Sequence, residues 1–165
     1  GEIASDPVPR FPVPRRCPVT VNGQEPDDVA LARLVLTDVQ FLEGWNAIFA
    51  GEMPGIAAML ARAGTRLPLY AFSNTNSAHV AHFSDAYADV LGHFREIYLS
   101  SSIGLRKPEA AAYDHVVKAI GVPASRIVFF DDSADNIAGA RARGLTAVHV
   151  TSPDDVSRAL VALGI

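Results

Sequence analysis

Short apolar runs alternate with helical patterns along most of this chain, and that alternation constrains the fold more than any other feature. The runs lie at 67–73, 96–100, 126–132 and 146–150, and apolar residues at helical spacing occur between them. Strands that are apolar along their whole length are buried on both faces. The sequence therefore predicts an α/β fold, a parallel sheet with helices on both faces. Ligands of such a sheet bind beyond the carboxyl ends of its strands.

Composition narrows the classes of partner. The chain has 165 residues, which suits one domain with a sizeable core. Its net charge of −4 gives no reason to expect nucleic acid or an anionic membrane as a partner. Cys17 is the only cysteine, so an internal disulfide is excluded and a reducing compartment is expected. No apolar run approaches the roughly 20 residues of a membrane span, and no signal-peptide core is present, so we expect a cytoplasmic protein.

The chain divides into three predicted parts: an extended proline-rich arm over 1–26, a short helical part over 27–52, and an α/β core over 53–165. In the helical part, Thr37 is a plausible N-cap. One apolar face of the helix that follows is expected to pack in the core. That face comprises Phe41, Leu42, Trp45, Ile48 and Phe49. A further helix is predicted to carry Pro54 in its first turn and to end at Gly64.

Polar side chains follow three of the predicted strands, at the point where each strand ends. Because the carboxyl ends of parallel strands meet at one edge of a sheet, we expect these side chains to lie together. They supply hydroxyl and amide groups, cations and paired carboxylates, which suit an anionic, oxygen-rich substrate held with Mg²⁺. The residues are Ser73, Asn74, Thr75 and Asn76; Ser100, Ser101 and Ser102, with Arg106 and Lys107; and Asp131, Asp132 and Ser133.

Three segments carry a resemblance to a known family. "YAFSNTN", "GLRKPEAAAYDHV" and "RIVFFDDSADNIAGARARG" resemble the second, third and fourth motifs of the haloacid dehalogenase-like (HAD) hydrolases, and the similarity extends over about residues 40–165. The resemblance implies a Rossmann-like parallel sheet, a helical cap inserted early in the chain, and a Mg²⁺-dependent reaction. Most members are phosphatases that act through an aspartyl-phosphate, and a minority are dehalogenases or phosphomutases. Residues 27–52 would then be a shortened cap.

The resemblance also implies roles for individual residues. Ser73 would bind the transferring phosphoryl group through its hydroxyl, with Asn74 and Thr75 assisting in substrate binding. Lys107 would neutralise the charge of the phosphoryl group and of the nucleophile. Ser73, Lys107 and Asp132, the second acid of the fourth motif, would form the catalytic set.

In that fourth motif, Asp132 would bind Mg²⁺ directly and Asp131 would be a second acid near the metal. Asn136, one turn into the following helix, could orient the metal site. Two adjacent acids repel each other unless a cation lies nearby, which also favours a metal at this position. His79 and His82 are expected to be surface or partly buried residues rather than ligands.

The first motif of the family, a strand that ends in the nucleophilic Asp, is not found, so the nucleophile is unknown. That strand is central in the family, and its loss would leave a gap of about 10 Å in the sheet. Three alternatives stay open. The strand is absent from this chain, or a second copy of the chain supplies it in a strand-exchanged homodimer. In the third alternative, residues 17–24, "CPVTVNGQ", occupy its place and bring Asn22 and Gln24 near the site.

The sequence thus favours a Mg²⁺-dependent phosphatase that acts on a small phosphorylated metabolite. The alternative is a catalytically inactive binding or regulatory module with the same pocket, because an amide in place of the nucleophile would not react. A third hypothesis is an interaction protein whose proline-rich arm is the functional part.

Overall fold

The computed structural model describes residues 37–165. Contacts divide the chain into two units, Gly1–Phe41 and Leu42–Ile165, and most described residues belong to the second. The predicted arm over 1–26, the helix predicted from residue 27 and the segment 17–24 lie outside the described residues. The predicted domain boundaries stay a prediction.

The first described helix, α1, spans Asp38–Asn46. The backbone N–H of Gln40 donates to Thr37 Oγ1 over 3.2 Å, so Thr37 caps the helix as predicted. The prediction that the apolar face of this segment packs in the core is wrong, because Trp45 is 46% exposed and Ile48 67% exposed. The helix ends before Ile48, which breaks the helical spacing on which the prediction rested.

The second helix, α2, spans Ile56–Gly64. Pro54 was predicted in its first turn but precedes the helix. Gly55, with φ of 80°, is the N-cap in a left-handed conformation, and a helix cannot extend back through it. Gly64 ends the helix as predicted.

Four strands form two parallel pairs. Strands β1 (Tyr70–Ser73) and β2 (Glu96–Leu99) pair in register Ser73↔Leu99. Strands β3 (Val128–Asp131) and β4 (Thr146–His149) pair in register Asp131↔His149. Within residues 37–165, no ladder joins β1 to β3. The family's first strand is expected at this position.

Helices connect the strands throughout the described part of the chain. The helix predicted over 77–91 is interrupted at Tyr87, whose φ of −126° and ψ of 30° are not helical. The segment after β2 was predicted as a loop, but a helical turn begins there at Ser100. The remaining helices are α3 (Ser77–Ala86), α4 (Ala88–Leu91), α5 (Ser100–Ile103), α6 (Ala110–Ile120), α7 (Ala134–Ala142) and α8 (Pro153–Ala162), with a 3₁₀ turn at Ala124–Arg126.

The buried core lies where α6 and α7 pack beside the second strand pair. Its central residues are Tyr113, Ile137, Ala140, Leu145 and Ala147. Gly139 allows a close approach, since a Cβ there would lie 2.8 Å from Pro108 O and 2.9 Å from Tyr113 Cε2. None of the described helices is both long enough and apolar enough to cross a bilayer. The structure therefore confirms the predicted α/β class, with helices packed on parallel strands.

Candidate functional site

Lys107 joins the two strand pairs at their carboxyl ends. Its ammonium Nζ donates to the carbonyl O of Phe72 on β1 over 2.7 Å and to Asp131 Oδ2 on β3 over 2.7 Å. The same nitrogen lies 5.0 Å from the ring centroid of Phe72 and 5.4 Å from that of Phe129. Lys107 is only 7% exposed, so the ion pair is shielded from water. The structure thus brings together Lys107, which the sequence placed on a loop, and Asp131, which it placed at the end of a strand.

Backbone alternation shows which strand edges face this lysine. Leu69 O, just before β1, accepts from Arg95 N, just before β2. Successive residues of a strand point their backbone groups to opposite edges, so the carbonyl of Phe72, three residues after Leu69, points away from β2. Asp131 O accepts from Val150 N just after β4, so the neighbouring Phe130 presents its backbone groups to the opposite edge. The β1 edge that faces away from β2 therefore carries the carbonyl that Lys107 binds. Within the described residues no strand occupies that edge.

Asp131 is a buried carboxylate with several donors. Besides the ammonium of Lys107 on Oδ2, its Oδ1 accepts from Ser133 N and from Asn136 Nδ2, each over 2.9 Å. Burial by itself raises the pKa of Asp131, but the hydrogen bonds from these three groups and the charge of Lys107 hold the pKa below its usual value. Asp131 is therefore ionised at neutral pH. Asn136 orients this acid, which is consistent with the positioning role predicted for it.

Asp132 differs from its neighbour. Its side chain is exposed and makes no hydrogen bond or ion pair to any described residue, while its backbone carbonyl lies 2.9 Å from His149 Nε2. No group of three His, Cys, Asp or Glu side chains converges in the described part of the chain. Mg²⁺ in phosphate sites often takes only one or two protein carboxylates, the other ligands being waters and substrate phosphate. An exposed Asp132 beside an ionised Asp131 fits that partial donor set.

Two side chains clamp the loops of the site together. The Asn74 amide donates from Nδ2 to Lys107 O over 2.8 Å, and its Oδ1 accepts from Lys107 N over 2.9 Å. Ser100 Oγ donates to Thr75 O over 3.1 Å and accepts from Thr75 N over 2.9 Å. Sequence reasoning missed these contacts, since no spacing indicates which loops an amide or hydroxyl will join. The Ser73 hydroxyl, by contrast, is half-buried and bonds to no described residue.

A cleft of about 630 Å³ adjoins these loops. It is lined by the residues that follow Ser73, by the start of α5, and by the turn that contains Arg106 and Glu109. His79 also lines it, and its ring stacks on Trp45 with centroids 5.4 Å apart. His79 is half-buried, as predicted, and its ring lies in the lining of the cleft.

The fold and this site define an α/β protein with a buried Lys107–Asp131 ion pair at the carboxyl ends of parallel strands. A model of the haloacid dehalogenase-like hydrolase family matches residues 24–144. The chain therefore belongs to the haloacid dehalogenase-like hydrolases, and the family assignment made from the second, third and fourth motifs is confirmed.

Individual relatives agree with this assignment. The chain is 38% identical over 58 residues to the sesquiterpene phosphatase astK of Aspergillus oryzae, covering 35% of this chain and 30% of the relative. It is 34% identical over 121 residues to phosphatase MT3486 of Mycobacterium tuberculosis, covering 70% and 56%. A HAD family enzyme of Bacteroides thetaiotaomicron, solved as a magnesium complex, superposes with TM-score 0.69 at 25% identity, covering 76% of this chain and 66% of that one. The chain spans less than two thirds of the length of the curated relatives described here.

Proposed function

We propose that this hydrolase chain forms the phosphate and metal site of a Mg²⁺-dependent phosphatase that acts on a small phosphorylated metabolite. One observation carries the proposal: the buried Lys107 ammonium is held between Phe72 O and Asp131, at the end of β1 where Ser73 follows Phe72. Two of the relatives are named phosphatases, and one solved structure is a magnesium complex.

The charges at the strand ends favour a divalent cation. Lys107 and Asp131 neutralise each other, and the exposed Asp132 leaves the three side chains with a net charge of −1. A phosphate monoester carries up to two negative charges at neutral pH, so this set alone would repel it. When bound, Mg²⁺ would reverse the sign of the site and polarise the phosphoryl oxygens. Asp132 would hold the ion directly, and Asp131 would lie beside it.

The remaining groups would position the substrate. The unbonded Ser73 hydroxyl would donate to a phosphoryl oxygen, and Lys107 would neutralise charge on the transferring group. Asn74 and Thr75 contribute through their backbone, because both are fixed by side-chain hydrogen bonds to neighbouring loops. These roles match the predicted catalytic and substrate-binding residues and stay predictions until they are tested.

A nucleophile would have to come from a strand between β1 and β3. Lys107 binds Phe72 O on the β1 edge that such a strand would pair with. An Asp at the end of that strand would supply the nucleophile of the family's first motif. The three sources named from the sequence, including exchange within a homodimer, stay open.

The second candidate function is a binding or regulatory module without turnover. The observation in its favour is that no carboxylate other than Asp131 pairs with Lys107 among the described residues. Such a module would bind inorganic phosphate in the presence of Mg²⁺ but would not release phosphate from an ester. The small phosphorylated ligand and the location in the cytoplasm are part of both candidates.

Hydrolysis of p-nitrophenyl phosphate with Mg²⁺, and with EDTA in its place, separates the two functions. For the phosphatase, we expect turnover that EDTA removes, and a loss of at least about 100-fold in kcat/KM for Lys107→Ala, because electrostatic stabilisation of the transferring group is lost. Asp132→Asn should weaken activation by Mg²⁺. Asp135→Asn is the matched control, since Asp135 is also exposed but lies in the first turn of α7 rather than directly after β3.

Two outcomes would count against the proposal. Turnover that is unchanged in Asp132→Asn would refute the metal assignment. Phosphate binding in calorimetry without any ester hydrolysis would favour the binding module.

A further inference from the structure

We propose that the cleft beside the phosphoryl site recognises a neutral, hydroxyl-rich group on the substrate, and that Arg106 and Glu109 determine this specificity. The inference deepens the proposed function, on which it rests for the position of the phosphate. The cleft begins at Asn74 and Thr75, directly after Ser73, so a group esterified to a phosphate at Ser73 would extend into it.

The turn that carries both residues is fixed relative to the phosphoryl site. Asn74 holds the backbone of Lys107 by two hydrogen bonds of 2.8 and 2.9 Å. Glu109 N donates to Arg106 O over 3.0 Å, which closes the turn around that lysine. The distance from the phosphate position to Arg106 and Glu109 is therefore set by the backbone, as a specificity site requires.

Half of the polar side chains that line the cleft already have partners inside the chain. Asn76 caps α3 by accepting from His79 N, and Ser100 holds the backbone of Thr75. Arg106, Glu109 and Ser101 make no side-chain hydrogen bond or ion pair to a described residue. Thr75 Oγ1 is shielded from solvent and also has no partner.

The charges of these free groups define the ligand's chemistry. A second anionic group on the substrate would be attracted by Arg106 but repelled by Glu109. A cationic group would be repelled by Arg106 and attracted by Glu109. A hydroxyl both donates and accepts, so neighbouring hydroxyls can accept from the guanidinium and donate to the carboxylate without net charge. A hydrocarbon group would bury Arg106 and Glu109 without partners, which is costly. The cleft therefore fits a sugar-like or polyol phosphate, and its volume of about 630 Å³ can hold a hexose.

Calorimetric titration in Mg²⁺ tests this with two esters that have six carbons and the same charge, glucose 6-phosphate and n-hexyl phosphate. We expect the hexose ester to bind at least about tenfold more tightly, because a hydrogen bond to a charged group contributes roughly that factor. Arg106→Ala and Glu109→Ala should each remove most of this preference. Arg95→Ala is the control, since Arg95 is exposed and precedes β2 at the opposite end of the strands, and it should keep the preference. If the chain hydrolyses the esters, the ratio of the two kcat/KM values replaces the ratio of affinities.

Equal or tighter binding of n-hexyl phosphate would overturn the inference. An unchanged preference for the hexose ester in both Arg106→Ala and Glu109→Ala would also overturn it, because neither side chain would then bind the hydroxyls. Failure of the proposed function gives a different result: the hexose ester binds with the expected preference but is not hydrolysed. Turnover of p-nitrophenyl phosphate without a hexose preference would leave the phosphatase in place and remove the specificity site.

Discussion

Replacing Lys107 by Met should reveal how much of the fold depends on the buried ion pair. The substitution keeps an unbranched side chain, shorter by the terminal nitrogen, but removes the charge and both hydrogen bonds, to Phe72 O and to Asp131 Oδ2. Asp131 would then be a buried carboxylate without its cation. Removing one partner of a buried pair costs about 3–5 kcal/mol. Because Ser133 N and Asn136 still donate to Oδ1, we expect a value near the lower end, about 3 kcal/mol.

Urea unfolding followed by circular dichroism at pH 7 measures this change in the free energy of unfolding. The double variant Lys107→Met with Asp131→Asn should be more stable than Lys107→Met alone by roughly 2 kcal/mol, because the uncompensated charge is gone while Asn keeps the acceptor for Ser133 and Asn136. Lys118→Met is the control, since Lys118 is exposed on α6 and forms no ion pair with a described residue.

The loss of stability caused by Lys107→Met should depend on pH. The folded pKa of Asp131 lies below its value in the unfolded chain, about 3.9. The stability that this carboxylate contributes is therefore present above about pH 4 and is lost as the pH falls through the folded pKa. The difference between wild type and Lys107→Met should be largest above about pH 5 and should shrink below pH 4. If Lys107→Met lost no more than the control, under about 1 kcal/mol at pH 7, the pair would be screened by solvent and the reasoning would be refuted.

Three further predictions concern packing and positioning. Gly139→Ala should lower the free energy of unfolding by about 1–3 kcal/mol, because its Cβ would lie 2.8 Å from the backbone O of Pro108. Gly44→Ala, whose Cβ would have no atom within 4 Å, should instead stabilise the chain slightly. Equal shifts in urea midpoint for the two variants would contradict this. Asn74→Ala should reduce kcat far more than it raises KM in steady-state assays, because it releases the Lys107 backbone, and Asn74→Asp should recover only the bond from Lys107 N. Tyr113→Phe should cost about 1 kcal/mol in urea unfolding, since its hydroxyl donates to Asn136 O over 2.8 Å; a neutral substitution would show that this bond adds nothing.

Several features of the fold could be predicted from local sequence alone. The apolar strands, the N-cap at Thr37 and the helices after β1 and β3 depend on spacing and on groups a few residues apart, which the sequence displays directly. The exposed aromatic face of α1 could not be predicted in this way. Amphipathic spacing shows that a face is apolar, but only the tertiary structure decides whether a partner covers it.

The sequence by itself determined the family, because its motifs place a serine, a lysine and two acids at or after the ends of successive strands. Only the tertiary structure assigned different states to those acids: Asp131 is buried against Lys107, and Asp132 is exposed. It also showed that Asn74 and Ser100 hold the loops of the site together. The physical reason is that burial and hydrogen-bond pairing depend on groups that are 24 to 33 residues apart along the chain. Spacing within one element carries no information about contacts of that range.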